Sequence, residues 1–313
     1  METKNIYDKN KVVVLKIQES DIEGMIMNHD LNEEGTYSYM ENPFIESVMN
    51  YLPEYAMGHD PIPTNPTRLI PYLREAAKSV VKIKKVAEIK KYLDDEVPYE
   101  EWDEKILKIY NAKGIFSELI LHFLLREFKD TVALISKIYF KDSFAQEAHG
   151  FDAVHVSNDK KIWLGETKFY NNGKRGIDAL IDDLNKHFNH NYLQEQFVII
   201  SRALIHNNEL REEWIQKLSE TSRLEDKFNM VIIPLLCIYE DKVADEFLEA
   251  INNRTDADSV LVEHVSELKK YFEEKNNFKN KDNVQTLLIL LPVESKNRIV
   301  GEMLNRIYNM QNI

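Results

Sequence analysis

Three charged side chains interrupt an otherwise apolar stretch between Gly150 and Tyr170, GFDAVHVSNDKKIWLGETKFY: Asp152, Glu166 and Lys168. The stretch reads as two short strands joined by a polar turn, apolar enough to be covered on both faces. A carboxylate is costly to bury there unless it is paired or holds a cation. Two carboxylates and an ammonium in that setting suit a divalent-metal site for cutting phosphodiesters. Mg2+ is the expected ion, with Mn2+ as a substitute, because Mg2+ takes oxygen ligands and needs only one or two carboxylates. A metal-acidified water could then attack phosphorus in line, while Lys168 orients or deprotonates it or offsets charge on the phosphoryl oxygens.

Register decides whether these groups can meet. Side chains alternate along a strand, so Glu166 and Lys168 share a face with Ile162, Leu164 and Tyr170, and Asp152 shares one with Val154 and Val156. A turn of Asn158-Asp159-Lys160 sets Asp152 opposite Glu166, and a shift by two residues sets it opposite Lys168. A turn longer by one residue would send Glu166 to the other face. The spacing therefore predicts an odd-length turn. The E-x-K triplet alone says little, since Glu88–Lys90, Glu267–Lys269 and Glu294–Lys296 repeat it. The Asp-bearing strand, the turn and E-x-K on the next strand carry the signal together.

Asp152, then thirteen residues, then Glu166-Thr167-Lys168 resembles the PD-(D/E)XK nuclease superfamily over roughly residues 114–203. The wording HGFDAVHV followed by IWLGETKFY more narrowly resembles the HamA family, nuclease subunits of the Hachiman antiphage defence system. Phe151 stands where the superfamily name has Pro. The resemblance implies that Asp152 and Glu166 ligate metal with help from the Thr167 backbone carbonyl, that Lys168 is the catalytic lysine, and that the substrate is DNA. It also implies a further acid from the helix before the first core strand. Glu118 is the candidate, the only acid in the first two turns of IFSELILHFLLREF at 115–128. Glu118, His122, Arg126 and Lys129 equally form a polar stripe that could face water. Finally, the resemblance implies a HamB-like superfamily 2 helicase as partner, which engages DNA and restrains the nuclease until infection or DNA damage. The alternative is a catalytically quiet subunit of the helicase complex that kept the fold and lost turnover.

The elements that must position these residues can be read from periodicity. A helix at 115–128, a strand at 133–140, the two hairpin strands, an amphipathic helix at 177–188 and a strand at 196–203 make an α/β unit with a mixed sheet flanked by helices. That order matches a restriction-endonuclease-like core. Between the second hairpin strand and its helix, Asn171 to Gly176 reads as a loop that could bring backbone N–H groups and the cations Lys174 and Arg175 to a phosphate. The expected organisation is one nuclease domain over 1–313. Residues 1–111 form an N-terminal strand and helical elaboration, 112–205 the core, and 206–313 a C-terminal sheet and helix extension. Residues 10–19 read as a strand and 39–111 as mostly helical. Segments 230–239 and 284–293 read as strands, and Pro234 predicts an edge or bulged position for the first. Helices are expected at 241–252, 258–275 and 294–308. His187 and His190 have no local Cys or third ligand, so zinc is not expected, and no P-loop or G-x-G-x-x-G is present.

Composition limits the remaining possibilities. No apolar run approaches a membrane span and the N-terminus lacks a signal-peptide pattern, so a cytoplasmic location and no membrane partner are expected. The lone cysteine, Cys237, reads as a packed core thiol. A net charge of −13 is the wrong sign for a protein that grips DNA alone, which favours delivery of substrate by a partner. Cations cluster from Lys78 to Lys91, with Lys78, Lys82 and Lys85 on one helical face. A solvated face is the default reading of that run, a DNA groove the second.

Overall fold

The hairpin forms in the expected register. In the computed structural model, strand β6 (Ala153–Ser157) pairs antiparallel with β7 (Ile162–Tyr170), with Ala153 opposite Gly165 and Val156 opposite Ile162. The regular pairing ends at Ala153: Asp152 donates its N–H at 2.9 Å to the carbonyl of Gly165, the residue already opposite Ala153, one step short of Glu166. The turn spans residues 158–160, closed by Ser157 N–H to Lys161 O at 3.1 Å and Lys160 N–H to Ser157 O at 2.9 Å. Lys160 takes the left-handed conformation (φ 65°) that three-residue hairpin loops place at this position. The structure describes residues 12–58, 63, 65–81, 91–92, 97–102, 112–134, 150–188, 193, 195, 197 and 228–313.

β6 and β7 belong to a seven-stranded mixed sheet. Its other strands are β1 (Val13–Gln18), β2 (Ile22–Met27), β5 (Thr131–Ala133), β8 (Val231–Glu240) and β9 (Gln285–Val293), in the order β1-β2-β9-β8-β7-β6-β5. The four central strands β2, β9, β8 and β7 run parallel, and antiparallel pairs close both sides. Strands from the N-terminal, core and C-terminal segments thus share one sheet. A separate hairpin joins β3 (His29–Leu31) to β4 (Tyr37–Tyr39). One group of helices packs together: α1 (Glu41–Met49), α2 (Leu52–Met57), α3 (Pro66–Val80), α4 (Ala112–Lys129) and, at the C-terminal end, α8 (Lys296–Asn312). A second group comprises α5 (Gly173–His187), α6 (Val243–Asn252) and α7 (Ala257–Lys275). No described helix is long and apolar enough to cross a membrane.

Several expectations need correction. β2 was not anticipated, because Glu23 and Gly24 break its apolar run; Glu23 is buried there and paired with Lys129. β8 is central rather than at an edge. Its Pro234 stands level with Gly165 on β7, where the β7–β8 register skips two positions, while the pairing of Pro234 with Leu287 on β9 is intact. A proline's missing donor is tolerable where the neighbouring ladder is already interrupted. Within residues 196–203, Phe197 is helical, and the parallel neighbour of β7 is β8 instead. A short apolar run does not distinguish strand from helix by period. The rest of that segment, most of 133–140, and Lys82 and Lys85 lie outside the described residues.

The segment expected as a phosphate-cradling loop is the first turn of α5. Asn172 caps it, its side chain accepting from Arg175 N–H at 3.1 Å. The two glycines serve packing: a Cβ on Gly176 would lie 2.4 Å from Cys237 Sγ, and one on Gly173 3.0 Å from Leu268 and 3.1 Å from Tyr239. Cys237 is buried on β8, and burial pushes its thiol up to about 12. Gly176→Ala should therefore cost about 1–3 kcal/mol by urea denaturation through overpacking. Adding Cys237→Ala should restore most of the loss; a cost that persists unchanged in the double variant would show that the contact with Sγ is not its source.

Candidate metal and phosphodiester site

The two residues of E-x-K point to one side of β7 and meet α5 there. Glu166 is 2% exposed, and its Oε1 lies 2.8 Å from His187 Nδ1. Lys168 Nζ pairs with Asp183 Oδ2. Asp183 and His187 are four apart on α5, hence one turn apart on the same side. They flank the buried stripe of Ile177, Leu180, Ile181 and Leu184 that seats the helix on the sheet. One ligand atom each from Glu166, Asp183 and His187 all lie within 4.8 Å of one another. Two carboxylates and an imidazole at that spacing form a donor set that fits a divalent cation.

Asp152 is held differently. Its Oδ2 accepts from the Thr167 backbone N–H at 2.8 Å and from the Thr167 hydroxyl at 3.1 Å. Because β6 begins at Ala153, the carboxylate occupies a backbone donor that the strand no longer reaches. The Thr167 hydroxyl also meets Ser117 of α4 at 2.8 Å, so this contact lies toward the α4 side of β7, whereas Glu166 and Lys168 lie toward α5. Register alignment thus does not bring the two carboxylates onto each other. Among the described residues, Glu166 clusters with Asp183 and His187, and Asp152 is not a member of that group.

Asp152 and Lys168 nonetheless line one cleft of about 560 Å³, together with Ser117, Thr167, Arg175 and Lys296. Of the two cations proposed for phosphate, Arg175 reaches this cleft, while Lys174 Nζ lies over the Tyr271 ring at 5.6 Å. Lys296, the first residue of α8, is buried, contacts the Phe169 carbonyl, and reaches Asn171 Oδ1 at 3.2 Å. Sequence reading passed over Lys296 as one more E-x-K repeat, and over His187 for want of local ligands. Its partners come from Glu166 on β7 and from the preceding turn of α5; an acid and a histidine at helical i, i+4 spacing after E-x-K was the available signal. His190 lies outside the described residues.

Glu118 does not face water. It is buried on α4 and accepts from the buried Tyr55 hydroxyl of α2, while its Oε1 would lie 3.8 Å from a Cβ on Gly114 at the cleft wall. The rest of its stripe also turns inward. His122 Nδ1 meets His155 Nε2 at 3.0 Å, and Arg126 Nε lies 2.9 Å from Glu54 Oε1.

Local charge follows from burial and pairing. Burial pushes the Glu166 carboxyl up, against the pull of His187. The hydrogen bond that His187 donates to Glu166 holds the imidazole above its ordinary range despite partial burial. Burial pushes the Lys168 ammonium down, but Asp183, with the charges of Asp152 and Glu166, outweighs it and keeps Lys168 above the usual lysine range.

The fold and cleft define an α/β protein with a nuclease-like core: a mixed sheet whose E-x-K strand carries an acid, a lysine and a helix-borne Asp–His pair. The HamA family model matches residues 4–307, nearly the whole chain. No curated protein and no solved structure matches. The chain belongs to the HamA family and is thereby a component of a Hachiman defence system.

Glu166 and His187 both hold protons to higher pH in the folded chain than when unfolded. Stability falls with pH wherever the native state binds more protons. Their contributions are complete below the ordinary values of 4.5 for Glu166 and 6.5 for His187, and fade as pH rises through the raised values. In chelator, urea midpoints measured from pH 4 upward should decline less steeply for Glu166→Gln/His187→Gln than for wild type. Identical slopes would show that the pair does not carry this linkage.

Proposed function

We propose that the chain is a metal-dependent nuclease that hydrolyses DNA phosphodiesters, the effector subunit of its defence complex. The observation that carries this reading is the single cleft that joins Asp152 and Lys168 with the cationic side chains of Arg175 and Lys296, beside the buried Glu166. Glu166 would hold the ion; Asp152 and the Thr167 carbonyl would join it where the Asp152 carboxylate exchanges its bonds to Thr167 for the metal, and Glu118 stands behind the cleft wall as a further acid. When bound, Mg2+ or Mn2+ supplies Lewis acidity toward the phosphoryl oxygen and an acidified water.

The chain's own residues do the rest. Arg175 offers a fork of donors suited to phosphate oxygens. Lys296, tied to the end of β7, adds fixed positive charge to the cleft wall. Lys168 is kept protonated by its carboxylate neighbours, so its role is to orient the attacking water and offset charge on the phosphoryl oxygens rather than to remove a proton. The net charge of −13 opposes tight binding of DNA by the chain alone. A HamB-like superfamily 2 helicase that delivers DNA and restrains cleavage answers that conflict.

A second reading, a catalytically quiet subunit, is favoured by one observation: the Asp152 carboxylate is engaged by Thr167 instead of facing Glu166. Cleavage of plasmid DNA in Mg2+ or Mn2+, with and without chelator, separates the two. The nuclease reading expects metal-dependent cutting, weak for the chain alone at physiological salt. It also expects losses of about 100-fold or more in Asp152→Ala, Glu166→Ala and Lys168→Ala. Undiminished activity in Lys168→Ala would overturn the role given to the lysine. Rapid degradation by the chain alone would remove the need for a partner.

A further inference from the structure

We propose that His187 and Asp183 coordinate the divalent ion together with Glu166, and that the imidazole nitrogen makes this centre prefer a first-row transition ion, such as Mn2+ or Co2+, over Mg2+. The inference rests on the metal-dependent reading above and adds a ligand set to it.

The geometry is that of a donor set around one ion. Neighbouring ligands of an octahedral ion, each about 2.1 Å from it, stand about 3 Å apart, and opposite ones about 4.2 Å apart. His187 Nδ1 and Glu166 Oε1 are 2.8 Å apart, and the Asp183 oxygen completes a group whose members all lie within 4.8 Å. To share one such ion, a group spread within 4.8 Å must close to about 4.2 Å or less between its farthest members. The positions are fixed by structure: 183 and 187 stack one turn apart on α5, and α5 is seated against β7 and β8 by its apolar stripe and its two glycines.

Charge points the same way. Glu166 and Asp183 are like charges, and the Asp183 charge works against ionisation of the buried Glu166. In the structure Lys168 offsets Asp183 and His187 engages Glu166. A divalent cation would replace both of these partial remedies. It would also take Asp183 from Lys168 and leave the ammonium to the cleft that Asp152 lines, so metal entry and placement of the catalytic lysine become one event.

Ligand chemistry sets the selectivity. Mg2+ favours an all-oxygen shell, whereas imidazole favours the transition series, with Co2+ above Mn2+. Calorimetric titration of the full chain with Co2+, Mn2+ and Mg2+ tests this. Tighter binding of Co2+ than Mg2+ is expected, together with a loss of about ten-fold or more for Co2+ in His187→Gln and only a small change for Mg2+. Asp183→Asn should weaken all three ions. The visible absorption of the Co2+-loaded chain supplies a second readout, because replacing a nitrogen donor shifts its bands. Should Glu166→Ala abolish binding while His187→Gln and Asp183→Asn leave affinity and spectrum unchanged, the ligand assignment would be overturned and the metal-dependent reading would stand. If wild type bound none of the ions, that reading itself would fall.

Discussion

The close seating of α5 on the centre of the sheet is the constraint on which the site depends. A helix carrying Gly173 and Gly176 on its inner face approaches Tyr239, Cys237 and Leu268 more closely than any side chain would allow. That approach is what puts Asp183 within reach of Lys168 and His187 within reach of Glu166. Side chains on the outer flank of a helix that stood farther from the sheet would end in solvent, and Glu166 would be a buried carboxylate with no counterpart. Tight packing and polar chemistry are thus the same feature, since the interior is dense enough to transmit position from one to the other.

The sheet contributes a second element of placement. Four parallel strands form its middle, and β7 is the last of them, with β6 and β5 completing the side by antiparallel pairing. Parallel strands at a centre are covered on both faces, and β7 shows this directly, with Ser117 of α4 reaching it on one side and α5 on the other. Gly165 marks the closest approach on the α4 side, where a Cβ would lie 2.5 Å from Leu121. The residues beyond it, Thr167 and Lys168, are then presented at a cleft bounded by Gly114 and Ser117 of α4 and by the first turns of α5 and α8. The N-termini of α5 and α8, capped by Asn172 and Ser295, turn the positive ends of two helices toward the same region as the cationic side chains of Arg175 and Lys296.

Beneath α4 a buried polar network joins the N-terminal helices to the core. Because the Thr131 hydroxyl donates to Leu125 O at 2.9 Å, it accepts from His155 Nδ1, and His155 Nε2 in its neutral form accepts in turn from His122 Nδ1. Glu54 and Tyr55 of α2 close the chain through Arg126 and Glu118. Buried polar groups linked in this way couple the elements that carry them, and removing one member strands its neighbours. The helical elaboration is therefore built into the wall behind the cleft, where Tyr55, bonded to Glu118, feels the charge of Asp152.

How much of this was legible in the sequence depends on how far apart the partners are. Strand alternation and a three-residue turn are local, so the register of the hairpin from Ala153 to Gly165 could be read from residues 150–170, and so could the types of group available for chemistry. The local pattern could not tell where each carboxylate would turn. Asp152 bonds to Thr167 because β6 ends one residue short, and Glu166 bonds to α5 because two glycines let that helix settle close. Glycines in 173–176 looked like a flexible phosphate loop, because sequence shows missing side chains but not the Cys237 or Leu268 that fill the space. Lys296 comes from the far end of the chain and His187 lacked neighbours of the right type, so neither carried a local signal. The sequence by itself determined register, residue types and the mixed α/β class. Only the tertiary structure decided which charged groups share a face, because that choice is made by packing between segments far apart in the chain.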